Sequence, residues 1–167
     1  MIDRDEIDVI AIQDRIPCRQ GWETYLGEFA QWKHYLTLTF RDEVYPDIAM
    51  SKYMQLVNQL NKSLYGSNYV RKYGHSYFSY LLGIEYQKRG VIHFHVLIDK
   101  PIDYALAHKI WNKIAGFAWI EPIENPEALI SYCTKYVIKG GDLLPYRSKN
   151  KKSPNNLPYW WGEKTLF

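Results

Sequence analysis

Apolar residues alternate with histidines along residues 91–99, and this segment, together with the apolar stretch at residues 77–87, predicts a β-hairpin. Successive side chains of a strand point to opposite faces of a sheet. The even-numbered residues from 92 to 98 are all apolar and would point to one face, whereas His93 and His95 would point to the other. We therefore expect the first face to lie in the core and the second to carry chemistry.

Glu85 joins the two histidines in only one register of this hairpin. A three-residue loop at residues 88–90 would place Glu85 opposite His93, because cross-strand partners share a face. A two-residue loop would shift the register by one residue and turn Glu85 towards the core. In the first register, two imidazoles and one carboxylate converge on the same face.

Hydrophobic spacing predicts the other elements and, with them, an α+β fold. Hairpin strands mixed with helices favour an antiparallel β-sheet with flanking helices, in the split β-α-β, ferredoxin-like arrangement. We expect a single domain over residues 1–167, with its core at 34–140 and a basic, aromatic extension at 141–167. In chain order we predict a helix near 22–32, a strand at 34–40, a helix at 47–64 capped by Asp47, an edge strand at 68–73, a helix opened by Pro101 and Asp103 and stopped by Gly116, a strand at 117–123, and a helix at 126–139 capped by Asn125.

Composition narrows the class of protein. The chain has 167 residues, of which 47% are hydrophobic, so general disorder is excluded. The net charge is only +3, so any basic surface must arise from the distribution of charges. Cys18 and Cys133 form neither a disulfide framework nor a zinc spacing, which fits a reducing compartment. With no apolar run long enough for a bilayer and no signal peptide, we expect a soluble cytoplasmic protein without a membrane partner.

The predicted cluster of Glu85, His93 and His95 has the composition of a metal site. Two imidazoles and a carboxylate around open positions suit a divalent metal that acts as a Lewis acid. A single histidine on a strand is more simply explained as an exposed residue. The His-x-His spacing with a carboxylate across the turn favours a metal.

A second candidate group lies on the last predicted helix. Tyr132 and Tyr136 are four residues apart and share a helix face, and Lys135 and Lys139 each follow one of them by three residues. A tyrosine with a pKa near ~10 is a poor nucleophile at neutral pH, and a nearby lysine or metal favours its phenolate form. In a chain with 15 tyrosines such a pair would often serve packing alone. The lysines and the candidate metal site favour catalysis.

Three motifs, in matching order, resemble those of the His-hydrophobe-His (HUH) endonucleases. His93-Phe-His95 is similar to their signature, and the strand at 36–40 resembles their first motif. The segment from Tyr132 to Tyr136 resembles the tyrosine motif of rolling-circle replication initiators, in the two-tyrosine form found in phages and plasmids. The resemblance covers residues 34–140.

This resemblance implies a reaction on single-stranded DNA or an extruded hairpin at a replication origin. A tyrosine would attack the scissile phosphate, leaving a 5′-phosphotyrosyl bond and a free 3′-hydroxyl that primes synthesis. Relatives with one tyrosine point to Tyr132 as the first nucleophile, others point to Tyr136, and Lys135 would contact phosphate or steady the phenolate. The sequence has no phosphate-binding loop of a helicase, so a separate helicase and polymerase are implied, in the cytoplasm of a prokaryotic host that carries the phage or plasmid.

The resemblance also implies a cofactor, Mg²⁺ or Mn²⁺, held by His93, His95 and an acidic or amide residue. Glu85 matches that third position, and Gln87 replaces it if the hairpin register differs.

Basic residues beside aromatic rings suit single-stranded DNA, whose phosphates meet cations and whose bases stack on rings. The segment 146–152 leads in this way into the aromatic run at 158–161, although a tail docked back on the sheet is equally compatible. The candidate DNA-binding residues are Arg71, Lys72, Lys88, Arg89, Lys139, Arg147 and Lys149.

Other functions are compatible with the same residues. A transposase or relaxase would use the same chemistry, although the second tyrosine and Glu85 favour the initiators. A non-catalytic single-stranded DNA-binding domain would bind DNA without forming a covalent product. A small-molecule metalloenzyme would have a closed pocket rather than an open basic groove.

Overall fold

The computed structural model describes residues 20–86, 91–138 and 142–149, with the side chains of 135–138 left out. These residues form five helices and five strands. In chain order they are α1 (residues 20–29), β1 (His34–Phe40), α2 (Pro46–Tyr65), α3 (Tyr69–Tyr73), β2 (Tyr80–Tyr86), β3 (Ile92–Ile98), α4 (Tyr104–Ile114), β4 (Gly116–Pro122), α5 (Pro126–Ile138) and β5 (Asp142–Tyr146). None of the helices in this part of the chain is long and apolar enough to cross a membrane.

The five strands form one antiparallel sheet in the order β4-β1-β3-β2-β5. Strands β1 to β4 with helices α2 and α4 give the β-α-β-β-α-β succession, and their spatial order is that of a split β-α-β unit. The predicted α+β, ferredoxin-like fold is therefore confirmed. Strand β5, which the sequence analysis assigned to the extension after residue 140, adds to the free edge of β2.

One face of the sheet, which we call the packed face, is covered by α2 and α4. Its strand residues are almost fully buried against apolar residues of the two helices, including Tyr53 and Trp111. The predicted alternation is confirmed, because this face carries Leu36, Leu38, Leu82, Ile84, Ile92, Phe94, Val96 and Ile98.

The other face, which we call the second face, is covered only in part. Helices α1 and α5 bury a smaller cluster there, in which Leu26 and Cys133 are completely buried. The strand residues in this cluster are Tyr35, Leu81, Leu97 and Leu143. Because Cys133 lies in this core, its predicted packing role is confirmed.

The predicted edge strand at residues 68–73 is wrong, since the segment forms the short helix α3. Its aromatic and β-branched residues favour a strand, but tertiary contacts decide the conformation. The Tyr69 ring is buried, and its hydroxyl donates to the side-chain oxygen of Asn58 on α2 over 3.0 Å. Gly74, with a φ of 68°, then ends the helix in the left-handed region.

Gly116 was predicted to stop α4, but it is the first residue of β4. A Cβ at this position would lie 2.6 Å from the backbone nitrogen of Arg41 and closer still to the carbonyl oxygen of Thr39. The glycine therefore permits close approach of β4 to β1. The start of α4 is as predicted, because the Asp103 side chain caps the backbone N–H of Leu106.

Two further helix starts complete the comparison. Helix α2 begins at Pro46 rather than after Asp47, with proline in the first turn, where no N–H is needed. Helix α5 begins as predicted, since the Asn125 side chain accepts from the backbone N–H of Ala128 over 3.0 Å. Helix α1 covers the first part of the helix predicted near residues 22–32.

Candidate active site on the second sheet face

The hairpin of β2 and β3 has the register that the three-residue loop predicts. Glu85 is the cross-strand partner of His93, and Gly83 is the partner of His95. The loop itself, residues 87–90, lies outside the described residues, and with it the alternative ligand Gln87. Glu85, His93 and His95 therefore all lie on the second face of the sheet.

His95 is held at both ring nitrogens. Its Nδ1 lies 2.6 Å from the hydroxyl oxygen of Tyr35, and its Nε2 lies 3.0 Å from the Oε2 atom of Glu85. A carboxylate can only accept, so the neutral imidazole carries its proton on Nε2 and donates it to Glu85. Nδ1 then accepts from the Tyr35 hydroxyl. The buried ring is thus fixed in position and in tautomer.

Tyr35 is a residue of this site that the sequence analysis missed. Its ring lies parallel to that of His95, with an interplanar angle of 8° and centroids 6.1 Å apart. Burial raises the pKa of Tyr35 well above the usual tyrosine value, so the hydroxyl keeps its proton and remains a donor. The signal was absent from the hairpin itself, because the contact depends on how β1 pairs with β3.

Helix α5 brings Tyr132 to the same place. Cys133 is buried against the sheet, and the Thr134 hydroxyl donates to Glu23 of α1 over 3.2 Å, which anchors the helix. Tyr132 is 39% exposed, and its ring lies edge-on to the rings of His95 and Tyr35, with centroids 6.0 Å and 6.3 Å away. The structure therefore unites the histidine motif with the first residue of the tyrosine motif.

A cavity of about 550 Å³ opens beside Tyr132, where the end of β4 meets α5. Glu121 and Glu124 supply carboxylates to its wall, and Asn125 supplies an amide. Tyr132 is therefore reachable from a space large enough for a ligand group.

The donor atoms at His95 suit a divalent ion in type and spacing. Adjacent ligands of an octahedral ion with bonds of about 2.1 Å lie about 3.0 Å apart, which matches the separation of His95 Nε2 from Glu85 Oε2. Within residues 20–86, 91–138 and 142–149, however, no three His, Cys, Asp or Glu side chains are arranged to hold one metal ion. Two predicted ligands are thus in contact, and His93 lies on their face of the sheet without completing such a group.

The match to a protein family comes from the segment that contains these elements. The family model for the replication-associated protein ORF2 matches residues 33–141. The chain belongs to this family. The matched segment runs from the start of β1 past the end of α5, so it includes Glu85, both histidines and both tyrosines. The match supports a role in the initiation of replication, with DNA and the replication machinery as partners. Searches of curated proteins and of solved structures returned no significant match.

The other predicted site residues are less closely associated with this centre. Arg71 and Lys72 are exposed on α3, which packs against α2 on the other side of the sheet. The Arg147 guanidinium lies 4.3 Å from the centroid of the Phe29 ring and donates to the Phe29 carbonyl oxygen, so it ties the end of β5 to α1. Lys149 is exposed. The described residues do not include Lys88, Arg89 and Lys139, nor the side chains of Lys135 and Tyr136.

Proposed function

We propose that this family member nicks and rejoins single-stranded DNA through a tyrosine-linked intermediate and so initiates rolling-circle replication of a phage or plasmid. The observation that supports the proposal most strongly is the contact between the Tyr132 ring and His95, which itself holds Glu85. This arrangement places a nucleophile next to metal-type ligands on an exposed sheet face. It is the combination that HUH chemistry requires.

Glu85, His93 and His95 would hold a divalent ion, Mg²⁺ or Mn²⁺. When bound, such an ion would polarise a phosphoryl oxygen and offset the charge that develops during transfer. His95 must then give up its Nε2 proton and carry a proton on Nδ1 instead. Tyr35 is placed to accept that hydrogen bond, as outer partners of metal-bound histidines commonly do.

In the nicking step, the Tyr132 oxygen would lose its proton and attack the scissile phosphorus. The bond between phosphorus and the 3′ oxygen breaks, and the departing 3′ oxygen takes up a proton. The products are a 5′-phosphotyrosyl bond and a free 3′-hydroxyl. Attack by a 3′-hydroxyl on this bond reverses the reaction and releases the tyrosine.

Tyr136 lies one turn further along α5 and would serve as a second nucleophile, with Lys135 between the two as a phosphate contact. Alternating use of two tyrosines allows a second strand to be cut before the first is rejoined. A separate helicase and polymerase would act on the exposed 3′-hydroxyl in the cytoplasm of the prokaryotic host.

A denaturing gel tests this proposal. The protein is mixed with Mn²⁺ and a library of single-stranded oligonucleotides that includes the origin, alongside Tyr132→Phe, Tyr136→Phe and the double variant. We expect a covalent protein–DNA band that requires the metal and is lost in the double variant. Cleavage that persists in the double variant would exclude tyrosine chemistry. Binding without any covalent band would identify a non-catalytic DNA-binding domain instead.

A further inference from the structure

Two large aromatic side chains are exposed on β4, the edge strand beside β1. Phe117 is 61% exposed and Trp119 is 57% exposed, whereas Ala118 between them is buried on the packed face. The alternation of the strand thus sends both rings to the second face, about 6.8 Å apart along β4. Adjacent exposed rings on one strand suggest a binding surface more strongly than scattered ones.

The strand register places these rings in line with the candidate active site. Phe117 is paired with Thr39, which is paired with His93. Trp119 is likewise paired with Thr37, which is paired with His95. Each row thus runs from an aromatic ring through a threonine to a histidine, over about 10 Å from β4 to β3.

The surface also continues along β4 towards Tyr132. Glu121 follows Trp119 by two residues on the same face, and its carboxylate accepts from the Trp119 indole N–H over 3.1 Å. Glu121 also lines the cavity beside Tyr132. The exposed rings therefore border the candidate site on two sides, across β1 and along β4.

We infer that Phe117 and Trp119 form a platform on which bases of the scissile DNA strand stack. The inference rests on the proposed function and adds to it the path of the strand next to the cleaved phosphate. Bases stack on exposed aromatic rings with little dependence on sequence. Threonine hydroxyls between the platform and the histidines can donate hydrogen bonds to phosphate oxygens. A protein partner would instead favour a continuous apolar patch at this position.

The experiment measures binding without relying on cleavage. Fluorescence anisotropy follows a fluorescein-labelled oligothymidylate and an abasic oligomer of equal length and charge, each titrated with the full chain. We expect the wild type to prefer the oligothymidylate. Trp119→Ala should weaken that binding about 10-fold, and the Phe117→Ala/Trp119→Ala double variant about 100-fold. Binding of the abasic oligomer should not change.

Two matched variants guard this interpretation. Tyr45→Ala removes an equally exposed ring, 76% exposed, at the start of α2, and should leave both affinities unchanged. Trp119→Phe keeps a ring but loses the contact with Glu121, and should restore most of the preference for bases. Equal losses for both oligomers in the double variant would indicate a backbone contact and overturn the stacking platform. Unchanged affinities would overturn it as well and assign the surface to a protein partner.

The inference and the proposed function can fail separately. If the wild type forms the covalent band and the double variant binds as tightly as the wild type, the nickase stands and the platform is refuted. If the wild type forms no covalent band but the double variant loses base-dependent binding, the platform stands and tyrosine chemistry is refuted. With the nickase and the platform both correct, the double variant should still form the covalent band at saturating DNA.

Discussion

Two pairs of tyrosine and histidine lie on opposite faces of the sheet. On the packed face, the Tyr104 hydroxyl and Nδ1 of His34 are hydrogen-bonded over 2.7 Å. On the second face, the Tyr35 hydroxyl and Nδ1 of His95 are hydrogen-bonded over 2.6 Å. The two bonds are nearly the same, but their surroundings differ.

The His34 pair is a brace between β1 and α4, in which the Tyr104 ring packs edge-on to the imidazole with centroids 5.2 Å apart. His95 instead presents its second ring nitrogen to the Glu85 carboxylate and touches the Tyr132 ring. The comparison teaches that the histidine–tyrosine bond alone does not mark a site. The group that meets the second nitrogen distinguishes a structural histidine from a candidate ligand.

The largest expected effect separates the two faces within β3. Phe94 is buried on the packed face, with its ring edge-on to those of Phe40 and Tyr53. Phe94→Ala should lower the free energy of unfolding by about 3–5 kcal/mol, because the contacts are lost and a cavity remains. Urea denaturation measures this. A loss below about 1 kcal/mol would contradict the assignment of this face to the core.

The next largest effect concerns the chemistry of the second face. His95→Ala should reduce nicking by about 10³-fold, since a metal ligand supplies several kcal/mol of transition-state stabilisation. His34→Ala is the matched control and should leave the nicking rate of the folded fraction unchanged. Rates come from single-turnover cleavage at saturating Mn²⁺, with folding checked by circular dichroism. Equal losses in the two variants would remove the distinction between the pairs.

Much of this distinction was accessible from the sequence. The alternation around His93 and His95 predicted both faces, and the loop length predicted the Glu85 register. The role of Tyr35 was not accessible, because it requires the pairing of β1 with β3, which are far apart in the chain. The same holds for Phe117 and Trp119, whose strand was predicted but whose neighbours on β1 were not.

Local propensity failed where tertiary contacts oppose it. The segment 69–73 contains aromatic and β-branched residues and still forms a helix, because Tyr69 packs on α2. Strand β5 includes Pro145, which weakens a strand prediction, yet an edge strand tolerates proline. Gly116 looked like a helix stop but is needed for the contact with β1.

A smaller effect should follow from removing one hydroxyl in each pair. Tyr35→Phe should weaken Mn²⁺ binding by about 10–100-fold, because His95 loses the partner that orients it. Tyr104→Phe removes the corresponding hydroxyl from the His34 pair and should not change Mn²⁺ affinity. Isothermal titration calorimetry without DNA measures both. Identical affinities for Tyr35→Phe and the wild type would show that Tyr35 does not position a metal ligand.

The smallest effect is a pH dependence of the packed face. Burial, with a smaller contribution from Lys33, lowers the pKa of His34 below the usual histidine value. As the pH falls below that usual value, the unfolded chain gains a proton that folded His34 still resists, so the free energy of unfolding should fall. Urea denaturation between pH 7 and pH 5 should show a shallower decline for His34→Gln. Parallel declines would exclude His34 as the cause.

The central claim is that the second face, at Tyr132 and His95, is where DNA is cut. Its most direct test is to map the covalent adduct by mass spectrometry after proteolysis of the protein treated with origin oligonucleotide and Mn²⁺. We predict a 5′-phosphonucleotide on the α5 peptide, at Tyr132 in the Tyr136→Phe variant and at Tyr136 in the Tyr132→Phe variant. An adduct on any other residue, or cleavage without an adduct, would contradict the claim.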